Sequence, residues 1–185
     1  MNYQEYSRFV MEKFVMSDAK DGIFHALVGI MKETGEMLFA IEQSKPEKEL
    51  IKELGDVLFY IVALRGVLGK DNLSEPYNKF FLQEVINIQP YHQIHDFAIN
   101  VLKEIPLLAE YISKFQWNVY SNDYSLKKAW EEKVLEQSEI VLSMLFQVIS
   151  CVCTIQYVAI KNMEKLKKRH GDGKAIDFSY QNRGE

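Results

Sequence analysis

Two stretches decide how this chain is read: F-H-A-L-V-G-I-M-K-E-T-G-E-M-L-F-A-I, Phe24 to Ile41, and E-L-G-D-V-L-F-Y-I-V-A-L, Glu53 to Leu64. Each is apolar at helical spacing and holds two acids three residues apart, Glu33 with Glu36 and Glu53 with Asp56. Residues at that spacing sit side by side on one helix face, about 5–6 Å apart at Cβ. Between the stretches runs S-K-P-E-K-E. Pro46 suits a first helical turn, where its missing N–H is not needed, and Glu47 and Glu49 suit the positive end of the helix dipole. The spacing therefore predicts one helix from near Gly22 to about Gln43 and another opening at Pro46. The second keeps an apolar stripe through Leu50, Leu54, Val57, Leu58, Ile61, Leu64 and Leu68 until G-K-D-N stops it. So short a connection makes the pair an antiparallel hairpin, residues 20–70.

Outward from the hairpin the pattern stays helical, and the 9 Gly and 4 Pro fall largely where helices would start or stop. An amphipathic piece from about Tyr3 to Met16 comes first, turned into the hairpin by S-D-A-K-D-G. A looser stretch, Ser74 to Pro90, follows it. Helical patterning resumes from His92 to about Trp117, interrupted by Pro106, which lacks an amide hydrogen and should kink the helix. N-V-Y-S-N-D-Y-S reads as a turn, then one long helix from about Leu126 to Arg169, then a coil-like tail. No flexible linker or low-complexity segment divides the chain. The expectation is a single all-α domain over residues 1–185, built as an antiparallel helical bundle.

A chain of 185 residues with 48% hydrophobic residues can bury a core without disulfides. With 22 Lys+Arg against 26 Asp+Glu, a formal net charge of -4, it has no global basic excess, which argues against a dedicated nucleic-acid binder. Cys151 and Cys153, two apart in an apolar run, point to different sides of a helix and read as small core residues of a reducing compartment. The N-terminal residues lack the basic start and apolar stretch of a signal peptide, so a cytoplasmic protein is expected. Ile140 to Ile160 carries no charge over 21 residues, long enough for a membrane span. However, Ser143, Gln147, Ser150 and Thr154 draw a polar stripe down it, reaching back to Glu139, which suits a bundle helix and not a lipid-facing one. No membrane partner is expected.

Both acid pairs border the core-facing part of their helices. In a hairpin they can face each other, and four converging carboxylates would repel prohibitively without a cation; oxygen-only ligands select Mg²⁺ or Mn²⁺ over zinc. Gly35 and Gly55 each precede the second acid of their pair. A mid-helix Gly costs about 1 kcal/mol relative to Ala, so close approach of backbone or ligand is expected at both. The second cluster is K-N-M-E-K-L-K-K-R-H, in which Asn162, Lys165 and Arg169 share one helix face. That stripe suits phosphate oxygens, which the planar fork of Arg grips well. Asn182 and Arg183 could fold back over such a site.

These residues resemble the MazG-like branch of the all-α nucleoside triphosphate pyrophosphohydrolases, with ExxE on one helix and ExxD on the next, over residues 22 to 69. The closing N-M-E-K-L-K-K-R-H-G-D-G, with F-S and N-R beyond it, resembles the end of bacterial and phage members. The resemblance implies a helical bundle that assembles as a homodimer. It implies Mg²⁺-dependent hydrolysis of a nucleoside triphosphate to monophosphate and pyrophosphate, in nucleotide-pool or house-cleaning work. Glu33, Glu36, Glu53 and Asp56 take the catalytic metal-ligand positions. Asn162, Lys165 and Arg169 match the phosphate-contacting stretch, and His25 and Arg183 are further candidate substrate contacts. A non-catalytic nucleotide sensor or assembly protein on the same bundle is the alternative.

The chain departs from simple members by some ninety residues inserted after the acidic hairpin. Within residues 92–169, V-L-K-E-I-P-L-L-A-E-Y reads as a faded copy of I-M-K-E-T-G-E-M-L-F-A, aligning Glu104 with Glu33, Pro106 with Gly35 and Leu107 with Glu36. E-Q-S-E-I-V-L aligns Glu136 with Glu53 and Glu139 with Asp56. A degenerate second repeat inside one chain is the expectation. The preferred base and sugar are not legible, since aromatics such as Tyr60, Trp117, Trp130 and Phe178 accept any ring.

Overall fold

Side chains that satisfy the first free amides mark where most of the helices begin. Asn2 and Glu5 form a reciprocal capping box for α1 (Tyr3–Lys13), Asp18 accepts from the Asp21 amide to open α2 (Ala19–Glu42), and Pro46 precedes α3 (Glu47–Val67). After α4 (Glu75–Phe81) and α5 (Tyr91–Asn118), Asp123 caps α6 (Tyr124–Ser150) and Thr154 caps α7 (Ile155–His170). The computed structural model describes residues 1–82, 91–118, 123–172 and 175–176, and among them there is no strand. The architecture is all-α, as the periodicity predicts.

Helices α2 and α3 pack as one hairpin and α5 and α6 as another; α2 then lies on α5 and α3 on α6. Leu54, Leu58, Ile61, Leu108, Leu142 and Phe146 meet in the shared core and are wholly buried or nearly so. Helices α1 and α7 both lie on α3, and that arrangement brings the basic stripe of α7 to the acidic hairpin.

Three expectations are corrected. The looser stretch from Ser74 holds a helix, α4, which buries Phe81 against Tyr3 and Phe146. Pro106 does not interrupt α5; it and Leu102, whose carbonyl loses its amide donor, both lie on the exposed side where water can take that donor's role. The long helix from Leu126 to Arg169 is two helices, bent by 96° at a short break. Thr154 explains the bend: its side chain accepts from the Tyr157 amide at 3.2 Å and so starts a new helix inside the apolar run.

The break also splits the uncharged segment. Among the described residues no single helix is long and apolar enough to cross a membrane, and α6 and α7 pass that test only together across their bend. The polar stripe on α6 is satisfied locally: Ser143 and Ser150 donate to the carbonyls of Ile140 and Gln147 in their own helix, and Gln147 is exposed. Glu139 anchors a different junction. It pairs with the buried Arg65 at 3.3 Å and accepts from the Ser74 amide at the start of α4. Both cysteines are buried and free.

Candidate metal centre

Three of the four predicted acids converge. Glu33 of α2 and Glu53 and Asp56 of α3 each offer a carboxylate oxygen within 4.8 Å of the others. Glu53 and Asp56 share a face of α3 through their three-residue spacing, and the antiparallel hairpin brings Glu33 across to them. Glu33 is buried and Glu53 nearly so. Burial first, and the neighbouring Asp56 second, push the Glu33 carboxyl above the usual carboxylate range, against the pull of Lys32. Among the described residues Glu53 Oε2 is buried with no hydrogen-bond partner, while Oε1 accepts from Lys52 at 2.7 Å. An all-oxygen set with a buried, unsatisfied carboxylate oxygen fits a hard divalent cation.

Glu36 stands outside this group of three. Its side chain is about half exposed and pairs with Lys32 at 2.5 Å, one helical turn earlier; Lys32 also reaches Glu33 at 3.1 Å. Burial raises the Glu36 carboxyl, but the hydrogen bond and charge of Lys32, with Glu33 and Lys52 adding to them, together hold it below its ordinary value.

The third wall comes from α7. Asn162 donates from Nδ2 to Asp56 Oδ1 at 3.1 Å and accepts at Oδ1 from the Tyr6 hydroxyl at 3.0 Å, and Lys165 donates to the same Asp56 oxygen. Burial first, with the charges of Arg169 and Lys52 behind it, lowers the Lys165 ammonium against the pull of Asp56. Gly55 explains how α7 comes so near: a Cβ built there would lie 3.1 Å from Asn162 Cβ and 3.2 Å from its Nδ2. At Gly35 no backbone makes such an approach among the described residues, where nothing lies within 4 Å of such a Cβ. Beside the acids, a groove of about 910 Å³ runs between the start of α3 and α7, with Lys52, Lys161, Lys165 and Arg169 on its walls and Tyr157 further along.

His25 packs against the rings of Phe14 and Tyr60, with centroids at 5.7 and 6.1 Å. It sits eight residues before Glu33, about 12 Å along the helix axis. Arg183 and Asn182 lie outside the described residues. The second hairpin brings its aligned acids to no common point: Glu104 accepts from Gln137 at 2.8 Å, Glu139 faces Arg65, and Glu136 is exposed. Sequence reasoning missed the lysines on the acids, although K-E-T-G-E and K-E-L-G-D put Lys32 and Lys52 directly before Glu33 and Glu53. Tyr6 carried no such signal, because its contact with Asn162 spans 156 positions.

A comparison with protein families matches residues 25–87, about a third of the chain, to the MazG nucleotide pyrophosphohydrolase domain. Neither the curated proteins nor the solved structures give a significant match. The matched segment contains both acid pairs, and over residues 25–87 the chain is similar to the MazG-like family.

Proposed function

We propose that the chain hydrolyses a nucleoside triphosphate to the monophosphate and pyrophosphate in a Mg²⁺-dependent reaction, with water attacking the α-phosphorus. The observation that carries this reading is the convergence of Glu33, Glu53 and Asp56 beside the cations of α7. Those three carboxylates would hold the metal ion. When bound, Mg²⁺ supplies neutralisation of phosphate charge and acidification of water toward neutral pH. Glu36, kept ionised by Lys32 at the edge of the cluster, can swing inward to complete the ligand set or take the proton of the attacking water. Lys165 rests on Asp56 and exchanges that partner for phosphate oxygens when the triphosphate enters. Arg169 grips the phosphates with its planar fork, and Asn162 fixes the orientation of Asp56.

One test separates this reaction from other cleavages of a triphosphate. Hydrolysis in ¹⁸O-water with Mg²⁺ should label the nucleoside monophosphate and leave the pyrophosphate unlabelled. Release of orthophosphate, or label in the pyrophosphate, overturns it. A panel of canonical and modified nucleotides in the same assay then identifies base and sugar.

A second reading has its own observation. Lys32, Lys52 and Lys165 already pair with the acids, so the cluster's charge is partly balanced within the chain, as a nucleotide sensor without turnover would require. Tight triphosphate binding with no product over hours would select that reading.

A further inference from the structure

The groove between α3 and α7 is charged along nearly all its length, and Tyr157 and Ile51 are the apolar exceptions among the described residues that line it. Thr154 starts α7 at Ile155, which puts Tyr157 in the first turn, 43% exposed. Steps of four then carry one ridge of α7 through Tyr157, Lys161, Lys165 and Arg169, all on the groove wall. Lys165 marks the acid cluster through Asp56; along the helix axis Arg169 stands about 6 Å beyond it and Tyr157 about 12 Å before it. The two ends differ in charge. Lys52 and Arg169 gather around Lys165, close enough to act on its ammonium, whereas Glu47 and Glu49, against Lys48, line the groove at the start of α3. That is the Tyr157 end, since the charge of Glu47 reaches the thiol of Cys153, just before α7.

We propose that Tyr157 is the platform on which the base of the nucleotide stacks, so that the substrate lies along α7 with its nucleoside toward Tyr157 and its terminal phosphates toward Arg169. This rests on the groove being the triphosphate site of the proposed reaction, and adds to it an orientation and a residue that recognises the base. An α-phosphate beside Asp56 and Lys165 leaves about two turns of α7 for sugar and base in one direction and about one turn for the β- and γ-phosphates in the other. Like charge keeps the phosphates from Glu47 and Glu49, and opposite charge draws them to Lys52 and Arg169. The Tyr157 ring already takes a partner on its face, because the Lys161 ammonium lies 5.5 Å from its centroid. A base takes that face in its place, with Ile51 as a second apolar contact, and every base has a face to offer. The other aromatic candidates stand elsewhere. Tyr60 is buried against Phe14, Trp130 packs on Tyr111 in the second hairpin, and Trp117 ends α5; none of them lines the groove, and Phe178 lies outside the described residues.

Titration calorimetry on the full chain in Mg²⁺ reads this without turnover, using inorganic tripolyphosphate and the α,β-methylene analogues of dATP, dGTP, dCTP and dTTP. Both kinds of ligand should bind, the best analogue more tightly than tripolyphosphate. Tyr157→Ala should weaken that analogue by at least about fivefold and leave tripolyphosphate within about twofold, with the helical circular dichroism retained because the side chain is half exposed. Tyr157→Phe and Tyr157→Trp should keep the analogue's affinity, since stacking needs the ring and not the hydroxyl. Arg169→Ala should weaken both ligands. The matching nucleoside monophosphate should feel Tyr157→Ala and not Arg169→Ala, because its single phosphate stays at the acids; dependence on Arg169 overturns the orientation. Equal loss for both ligands, an unchanged analogue affinity in Tyr157→Ala, or a Tyr157→Phe variant as weak as Tyr157→Ala overturns the platform. In each of those cases tripolyphosphate still binds the wild type, which leaves the proposed reaction standing. A chain that binds neither ligand refutes the phosphate site itself, and both readings with it.

Discussion

Asn162 lies directly on Gly55, and from that position its amide reaches Asp56 at 3.1 Å. The missing side chain at 55 is what allows a helix far along the chain to share the acid cluster. Gly55→Val should therefore push α7 outward. The expected result is a loss of about 1–3 kcal/mol in stability from overpacking, with a larger proportional fall in turnover than in stability. Urea melts and pyrophosphate release measured on one preparation check it, and unchanged turnover would mean that the Asn162 contact is dispensable.

The acids themselves give the sharpest test. Glu53→Gln and Asp56→Asn each remove a ligand from the cluster and also a repelling charge, so the fold should persist while turnover falls by at least about 100-fold. EDTA should abolish activity and Mg²⁺ restore it. Full turnover by Asp56→Asn at saturating Mg²⁺ would end the metal assignment.

For the cation stripe, Arg169→Ala should raise KM and lower kcat together, and Arg169→Lys should recover part of each, because Lys keeps the charge and loses the fork. Steady-state kinetics on the best substrate of the panel decide this. Wild-type constants in Arg169→Ala would leave the residue as an exposed helix end.

Pro46 and the two acid pairs make the first hairpin legible in the sequence, because they mark it from both sides, and three-residue spacing alone aligns Glu53 with Asp56. The bend between α6 and α7 is not legible in that way, because it contains no Gly or Pro; its one signal, Thr154, falls in register with Ser143, Gln147 and Ser150 and so reads as part of a stripe. Glu36 reads as a member of the quartet because its i−3 partner Glu33 is as visible as its i−4 partner Lys32, and sequence cannot rank the two. Gly35 differs from Gly55, since among the described residues nothing of the chain lies within 4 Å of a Cβ built there.

The second hairpin yields a prediction about site count. Glu104 is tied to Gln137 and Glu139 to Arg65, while Leu107 and Pro106 stand where the first hairpin has an acid and a glycine. Glu104→Gln should then be nearly neutral for turnover, whereas Glu33→Gln should not be. Titration calorimetry with a non-hydrolysable triphosphate in Mg²⁺ should count one site per chain; two equivalent sites would return catalytic standing to the second hairpin.

The last prediction concerns Cys153, which sits at the turn between α6 and α7. Burial first, and the charge of Glu47 second, push its thiol up to about 12. At pH 8 an ordinary thiol is about one quarter thiolate, whereas one near that value is thiolate in about one molecule in 10⁴. Iodoacetamide should therefore label native Cys153 at least about a thousandfold more slowly than the same residue in urea. The sign for stability follows from linkage. The unfolded chain loses this proton first, so the native state binds more protons between the ordinary thiol value and about 12, and stability falls as pH rises through that window, by up to about 1.4 kcal/mol per unit. Cys153→Ala removes that contribution. Urea melts of both proteins at pH 8 and pH 10 should show the wild type losing more stability than the variant, and equal losses would mean that Cys153 titrates as an open thiol.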